Sequence, residues 1–223
     1  PRQLFYDSSE EKIYWYNQGT EEIKRTDMSG ATSETIGTFA GKTIFDMAPD
    51  FENRKIYYTN WTDDTIERID MAPNSDSTKE TLISSLNNPF SIELDTRTQK
   101  MYWVEFNNRD IYRADMTLSA TPELLYDESI TIYGLAIDPD TNALYWMRNN
   151  NFMAGTLDGR KDPEVIGGNF GSAWFIFFEP LFRRIYNGTK GSVTSGIRYR
   201  NLKGETTSQE LVDATVVDCW LVF

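Results

Sequence analysis

Histidine is absent from the 223 residues, and Cys219 is the single cysteine. Without an imidazole the chain has no general base for a Ser-His-Asp or Cys-His nucleophile, and no metal site that needs a histidine ligand. One cysteine allows no intrachain disulfide, which leaves Cys219 as a candidate for an intermolecular one. Two residue sets remain that could recognise something. Carboxylates stand at Asp7, Asp50, Asp95, Asp138 and Glu179, and aromatic rings stand five residues before four of them, at Phe45, Phe90, Tyr133 and Trp174. Rings with polar handles in one register have the composition of a docking surface for a protein or a sugar. The same rings could equally pack inside a repeated core. The carboxylates are expected to accept hydrogen bonds from the N–H groups of the turn that follows each of them. Asp46 stands alone, because Ser91, Gly134 and Phe175 occupy its register in the other copies, so no ring of carboxylates forms there. No metal or cofactor site is expected.

These residues recur because the chain is a repeat. One tetrad appears five times: Lys12-Ile13-Tyr14-Trp15, Lys55-Ile56-Tyr57-Tyr58, Lys100-Met101-Tyr102-Trp103, Ala143-Leu144-Tyr145-Trp146 and Arg184-Ile185-Tyr186-Asn187. Successive tyrosines lie about 43 residues apart, and each follows its acid by seven residues. A second block follows, as in Ile23-Lys24-Arg25-Thr26-Asp27-Met28 and Ile111-Tyr112-Arg113-Ala114-Asp115-Met116. Asn, Asp, Ser, Gly and Thr clusters separate the blocks, which is turn chemistry.

Each copy therefore predicts about four short strands, such as Tyr133–Ile137, Leu144–Met147, Asp110–Ala114 and Glu164–Ile166, and nothing in the chain has the periodicity and caps of a helix. Four-stranded units of this length are propeller blades, which cover each other's faces when stacked. The expected fold is all-β, a β-propeller of five four-stranded blades forming one domain over residues 1–223. Val216–Phe223 is left over as a further apolar strand. It would close the fold against Leu4-Phe5-Tyr6, pair with another chain, or begin a sixth, incomplete blade. The tetrad rings are expected to form the core between blades.

The tetrads, the acid seven residues earlier and the Asp-Met-Ser-Gly-like turn at Asp27–Gly30 resemble the YWTD repeats of low-density lipoprotein receptor class B. Asn88-Pro89-Phe90-Ser91-Ile92-Glu93-Leu94-Asp95 and Gly134-Leu135-Ala136-Ile137-Asp138 are similar to that family's first strand. The repeat is degenerate: Tyr16-Asn17, Thr59-Asn60, Val104-Glu105, Met147-Arg148 and Gly188-Thr189 stand where the family has Thr-Asp. The resemblance implies an extracellular, non-catalytic propeller that binds proteins through the loop face where the four rings begin.

The expected function is thus a secreted or extracellular binding module with a protein or glycan partner, and not an enzyme. One alternative is a structural or matrix protein that assembles as a homo-oligomer through its last strand or Cys219. Another is a calcium-dependent propeller hydrolase, which the missing histidine and the aromatic mouth disfavour. A net charge of −12 repels nucleic acid. No apolar run is long enough to enter a membrane. Pro1-Arg2-Gln3 does not read as a signal peptide, so a secretory leader is expected to have been removed. The triplets Asn60-Trp61-Thr62 and Asn187-Gly188-Thr189 are glycosylation sequons expected in an exposed loop after the second strand.

Overall fold

The computed structural model describes residues 2–168, 173–189, 196–202 and 209–213. Alternation and turn chemistry give five antiparallel four-stranded sheets, the blades of a β-propeller. The first blade is β1 (Arg2–Asp7), β2 (Lys12–Asn17), β3 (Glu22–Asp27) and β4 (Ser33–Thr38). The second is β5 (Ile44–Asp50), β6 (Lys55–Asn60), β7 (Thr65–Asp70) and β8 (Glu80–Ile83). The third is β9 (Pro89–Asp95), β10 (Lys100–Glu105), β11 (Asp110–Asp115) and β12 (Glu123–Asp127). The fourth is β13 (Ile132–Asp138), β14 (Ala143–Arg148), β15 (Asn151–Thr156) and β16 (Glu164–Gly167). The fifth is β17 (Ala173–Glu179), β18 (Arg184–Thr189), β19 (Gly196–Asn201) and β20 (Gln209–Asp213). Strands pair in chain order within each blade. Among the described residues the only helical turns are the three-residue 3-10 turns Asp76–Thr78 and Pro139–Thr141. The described residues therefore form five blades. The last strand read from the sequence, Val216–Phe223, lies outside the described residues together with Cys219.

By its contacts the chain divides into two compact units. One holds residues up to Asn108 with Arg113–Glu123, the other Arg109–Tyr112 with residues from Leu124. In the first unit the core between the first two blades comes from the tetrads and their neighbours. Tyr14, Tyr16, Ile23, Ile36, Phe39, Ile44, Ile56, Tyr58 and Ile69 form one buried cluster. Phe39 stands edge-on to Tyr58 at 5.1 Å, and the Tyr16 hydroxyl donates to the Lys42 carbonyl at 2.9 Å, so the polar end of a buried ring is satisfied. In the second unit Ala136, Tyr145, Met147, Phe152, Ile176, Phe178 and Ile185 form the corresponding cluster between β13–β15 and β17–β18. The five tetrad tyrosines are all buried, as repeated core residues.

The repeat acids tie the hairpin between first and second strands. Ser9 N–H donates to Asp7 at 2.9 Å, Asn53 N–H to Asp50 at 3.1 Å, and Arg97 N–H to Asp95 at 3.2 Å. Leu181 and Phe182 N–H donate to Glu179 at 2.6 and 2.9 Å. At Asp138 the turn donor is the Thr141 hydroxyl, at 2.6 Å. The residue closing each hairpin, Glu11, Arg54, Gln99, Asn142 or Arg183, has φ between 52° and 56°. Two of these residues use that position to reach the preceding blade. Arg54 pairs with Asp7, and Arg183 with Asp138 at 2.8 Å.

Candidate functional site

A bulge at the entering end of the first strand sets the site geometry. Pairing of β5 with β6 shifts between Ile44 and Met47, of β13 with β14 between Tyr133 and Leu135, and of β17 with β18 between Ala173 and Phe175. Pairing of β9 with β10 shifts at the equivalent place, between Trp103 and Glu105. A bulge turns one residue out of the alternation and re-aims its side chain. The residues of the aromatic register stand at these bulges.

In the first unit the bulges of β5 and β9 bring Phe45 and Phe90 to 4.4 Å between ring centres. Two further rings join them. Trp61 lies 5.0 Å from Phe45 and 5.6 Å from Phe106, and Phe106 lies 5.5 Å from Phe90. Phe90 is buried as the floor, while Phe45, Trp61 and Phe106 are half-buried. Trp61 and Phe106 are each the first residue after a second strand, and a backbone bond fixes each one. Trp61 N–H donates to the Thr43 carbonyl at 2.9 Å, and Phe106 N–H to the Asn88 carbonyl at 3.0 Å. Asn149 holds the same place in the second unit, through a bond to the Thr131 carbonyl.

Of the four register rings the structure thus brings Phe45 and Phe90 together. Tyr133 lies in the second unit, half-buried and packed against that unit's core cluster. Trp174 lies on β17, and its side chain is outside the described residues. Trp61 and Phe106 were not foreseen. They stand four residues after Tyr57 and Tyr102, where the other copies have Gln18, Asn149 and Lys190, so the five-fold comparison that exposed the register conceals them.

Amides rim the cluster. Asn107 donates to the side-chain oxygens of Asn87 (3.1 Å) and Asn88, Asn87 donates to Asn108, and Asn108 donates to Glu105 at 2.8 Å. The turn Trp61–Asp64 adds Asp64, which accepts from Asn88 N–H at 3.0 Å. Rings and amides grouped in this way suit recognition of a partner surface. Among the described residues no three His, Cys, Asp or Glu side chains converge to hold a metal ion.

Beneath the rings lies Asp46, buried at the β5 bulge and without counterpart in the other copies. Its Oδ1 accepts from Met47 N–H at 2.7 Å, and its Oδ2 accepts from Ser91 Oγ at 2.9 Å and Ile92 N–H at 3.0 Å. Its own N–H donates to Thr59 Oγ1 at 3.0 Å, and that hydroxyl donates to the Phe90 carbonyl at 3.1 Å. One carboxylate thereby joins β5 to β9 behind the Phe45–Phe90 contact. Burial pushes its carboxyl up to about 6, although the hydrogen bonds from Ile92, Ser91 and Met47 oppose the shift. Glu93 is raised as well, by burial first and then by the Asp46 charge. In the second unit Gly134 takes this register. Its φ is +47°, and a Cβ there would lie 2.9 Å from Ile176 N, so β13 approaches β17 backbone to backbone.

The two sequon asparagines require a correction. Both belong to second strands and not to an exposed loop: Asn60 ends β6 and Asn187 lies within β18, paired with Ile176 and Arg198. Both are buried. The Asn60 amide donates to Asp63 at 2.9 Å and to Glu67 at 3.1 Å, so its nitrogen is already committed inside the fold. The strand runs further than the turn-like composition of these triplets indicates, because Asn60 pairs with both Ile44 and Thr65. Intact mass of natively sourced protein should therefore be unchanged by an N-glycosidase. A mass loss of one glycan or more would contradict this placement.

No family model matches the chain. Human (Homo sapiens) low-density lipoprotein receptor-related protein 8 is 31% identical over 100 residues, which is 42% of this chain and 10% of that protein, so the chain spans about a tenth of this relative's length. Among solved structures, a chain from the crystal structure of a nidogen/laminin complex superposes with a TM-score of 0.76 at 18% identity, over 92% of this chain and 78% of that one. A catalytically inactive virginiamycin B lyase from Staphylococcus aureus, solved with quinupristin, superposes with a TM-score of 0.69 at 15% identity, over 94% and 68%. At such identities the two structures speak for the fold alone. With its five-fold tyrosine and acid registers, its four-stranded blades and its similarity to low-density lipoprotein receptor-related protein 8, the chain is a β-propeller whose repeats resemble YWTD repeats.

Proposed function

We propose that the chain is an extracellular, non-catalytic binding module that takes a protein partner on the aromatic cluster Phe45, Trp61, Phe90 and Phe106. The observation that carries this reading is the cluster itself: four rings linked by centroid distances of 4.4 to 6.3 Å, three of them half-exposed and one packed as a floor. Rings held in place before a partner arrives lose little side-chain entropy on binding, and a rim of amides can satisfy the polar edge of the contact. The relatives support the same reading, since one is a receptor-related protein and one was solved in a nidogen/laminin complex. The propeller of the lyase leaves an enzyme as the competing reading, and the four clustered rings with their amide rim favour recognition over it.

An array of secreted proteins and glycans, probed in parallel with the wild type and Trp61→Ala, tests this. Protein spots bound by the wild type and weakened about tenfold or more by Trp61→Ala are the expected result, because a half-buried ring at the centre of a contact commonly carries that much. Binding confined to glycans, or protein binding indifferent to Trp61→Ala, would overturn the proposal.

A further inference from the structure

The charge around the aromatic cluster is one-sided. Four segments of the first unit build its surroundings: residues 39–46, 60–67, 86–93 and 105–108. Together they contain Asp46, Asp63, Asp64, Glu67, Glu93 and Glu105, against Lys42, while Arg109, which ends the turn after Asn108, donates to the Ser129 carbonyl at 3.1 Å. Lys42 is already taken, its Nζ lying 2.5 Å from Asp63. Glu67 accepts only from neutral donors, the Tyr58 hydroxyl at 2.7 Å, the Thr65 hydroxyl at 2.5 Å and the Asn60 amide at 3.1 Å. Asp64 closes the turn that begins with Trp61, is half-buried, and accepts from the Asn88 N–H. No described Lys or Arg pairs with Asp64 or Glu67. The field shows in its neighbours. The Tyr58 hydroxyl is driven far above its ordinary range by burial and then by the charges of Glu67, Asp76 and Asp63, and Glu93 is raised by Asp46 after burial.

A cation held over aromatic faces gains from the ring quadrupoles, and nearby carboxylates add to that gain when the site is partly desolvated. A planar guanidinium can stack on a ring and hydrogen-bond a carboxylate in the same pose, which an ammonium cannot do as well. An acidic partner would be repelled, and a purely apolar one would leave the carboxylates desolvated without a counter-charge. We propose that the Phe45–Trp61–Phe106 face receives an arginine side chain of the partner protein, stacked on the rings and paired with Asp64. The proposal rests on the docking reading above and narrows it to one chemistry of partner.

Three capped pentapeptides that differ only at the central residue, arginine, citrulline or glutamate, serve as probes. They are titrated into the full chain carrying 15N-labelled tryptophan, with the Trp61 indole resonance assigned by its loss in Trp61→Phe. The arginine peptide should move that resonance saturably, with an affinity that falls several-fold between low and physiological salt. It should weaken about tenfold in Asp64→Asn, which keeps an acceptor for Asn88 N–H while removing the charge. The citrulline peptide, equal in shape and neutral, and the glutamate peptide should leave the resonance in place. Equal shifts with citrulline, or an arginine response indifferent to salt and to Asp64→Asn, would overturn the inference. The two proposals fail separately. A protein that loses binding to Trp61→Ala but ignores Asp64→Asn keeps the docking face and removes the arginine, while an arginine-peptide response with no protein dependent on Trp61 does the reverse.

Discussion

Asp46→Ala should destabilise the first unit by about 3–5 kcal/mol at pH 4 and by clearly less at pH 7. Alanine leaves the Met47 and Ile92 N–H groups and the Ser91 hydroxyl buried without their acceptor, and each such group costs about 1–3 kcal/mol. The pH dependence follows from the raised carboxyl. A carboxyl whose folded value lies above its unfolded value of 3.8 contributes stability that is complete below that value. This contribution is lost as pH rises toward the folded value of about 6. The wild-type advantage over the variant should therefore shrink by up to about 3 kcal/mol between pH 4 and pH 7. Denaturant unfolding of both proteins at the two values of pH measures it. A difference that is constant with pH, or that grows toward pH 7, would contradict the buried placement of Asp46 between β5 and β9.

The second large effect belongs to the other unit. Gly134→Ala should cost about 2–4 kcal/mol, the sum of a left-handed backbone imposed on a residue with a Cβ and of overpacking against β17. The new methyl would lie 2.9 Å from Ile176 N and 3.1 Å from Phe175 Cα, and both contacts are backbone that cannot swing aside. Gly30→Ala is the matched control. Its φ is +65°, yet no atom lies within 4 Å of the added carbon, so it should show the backbone cost without the clash. Thermal unfolding of the two variants separates the terms. Equal losses would mean that β13 and β17 do not approach as closely as described.

These two residues also show how far the sequence could be read. The tyrosine and acid registers predict strands, blades and turns because every copy needs the same ring in its core and the same acceptor in its hairpin. Asp7, Asp50, Asp95 and Glu179 each do what that spacing requires, and Asp138 does it through a side chain. Asp46 and Gly134 occupy one register and solve one problem, the close approach of neighbouring first strands, by opposite means. One supplies an acceptor and the other removes a side chain, so comparison between copies reads them as unrelated. Trp61 and Phe106 escaped notice for a similar reason, since aromatics hold that place in two copies of five. Their contact with Phe45 and Phe90 depends on bulges that bend β5 and β9, and bulges leave little mark on composition. Asn60 and Asn187 looked like turn residues from their triplets alone, and it is the strand pairing around them that buries them.

The central claim is that the half-exposed rings of the first unit are the docking face, and hydroxyl-radical footprinting of the full chain tests it most directly. In the free protein Phe45, Trp61 and Phe106 should be oxidised. Leu181 and Phe182, exposed at a hairpin turn of the second unit, serve as internal references. With a saturating amount of a protein partner found on the array, oxidation of the three rings should fall several-fold while that of Leu181 and Phe182 stays the same. Unchanged oxidation of Phe45, Trp61 and Phe106 beneath a bound partner would contradict the account.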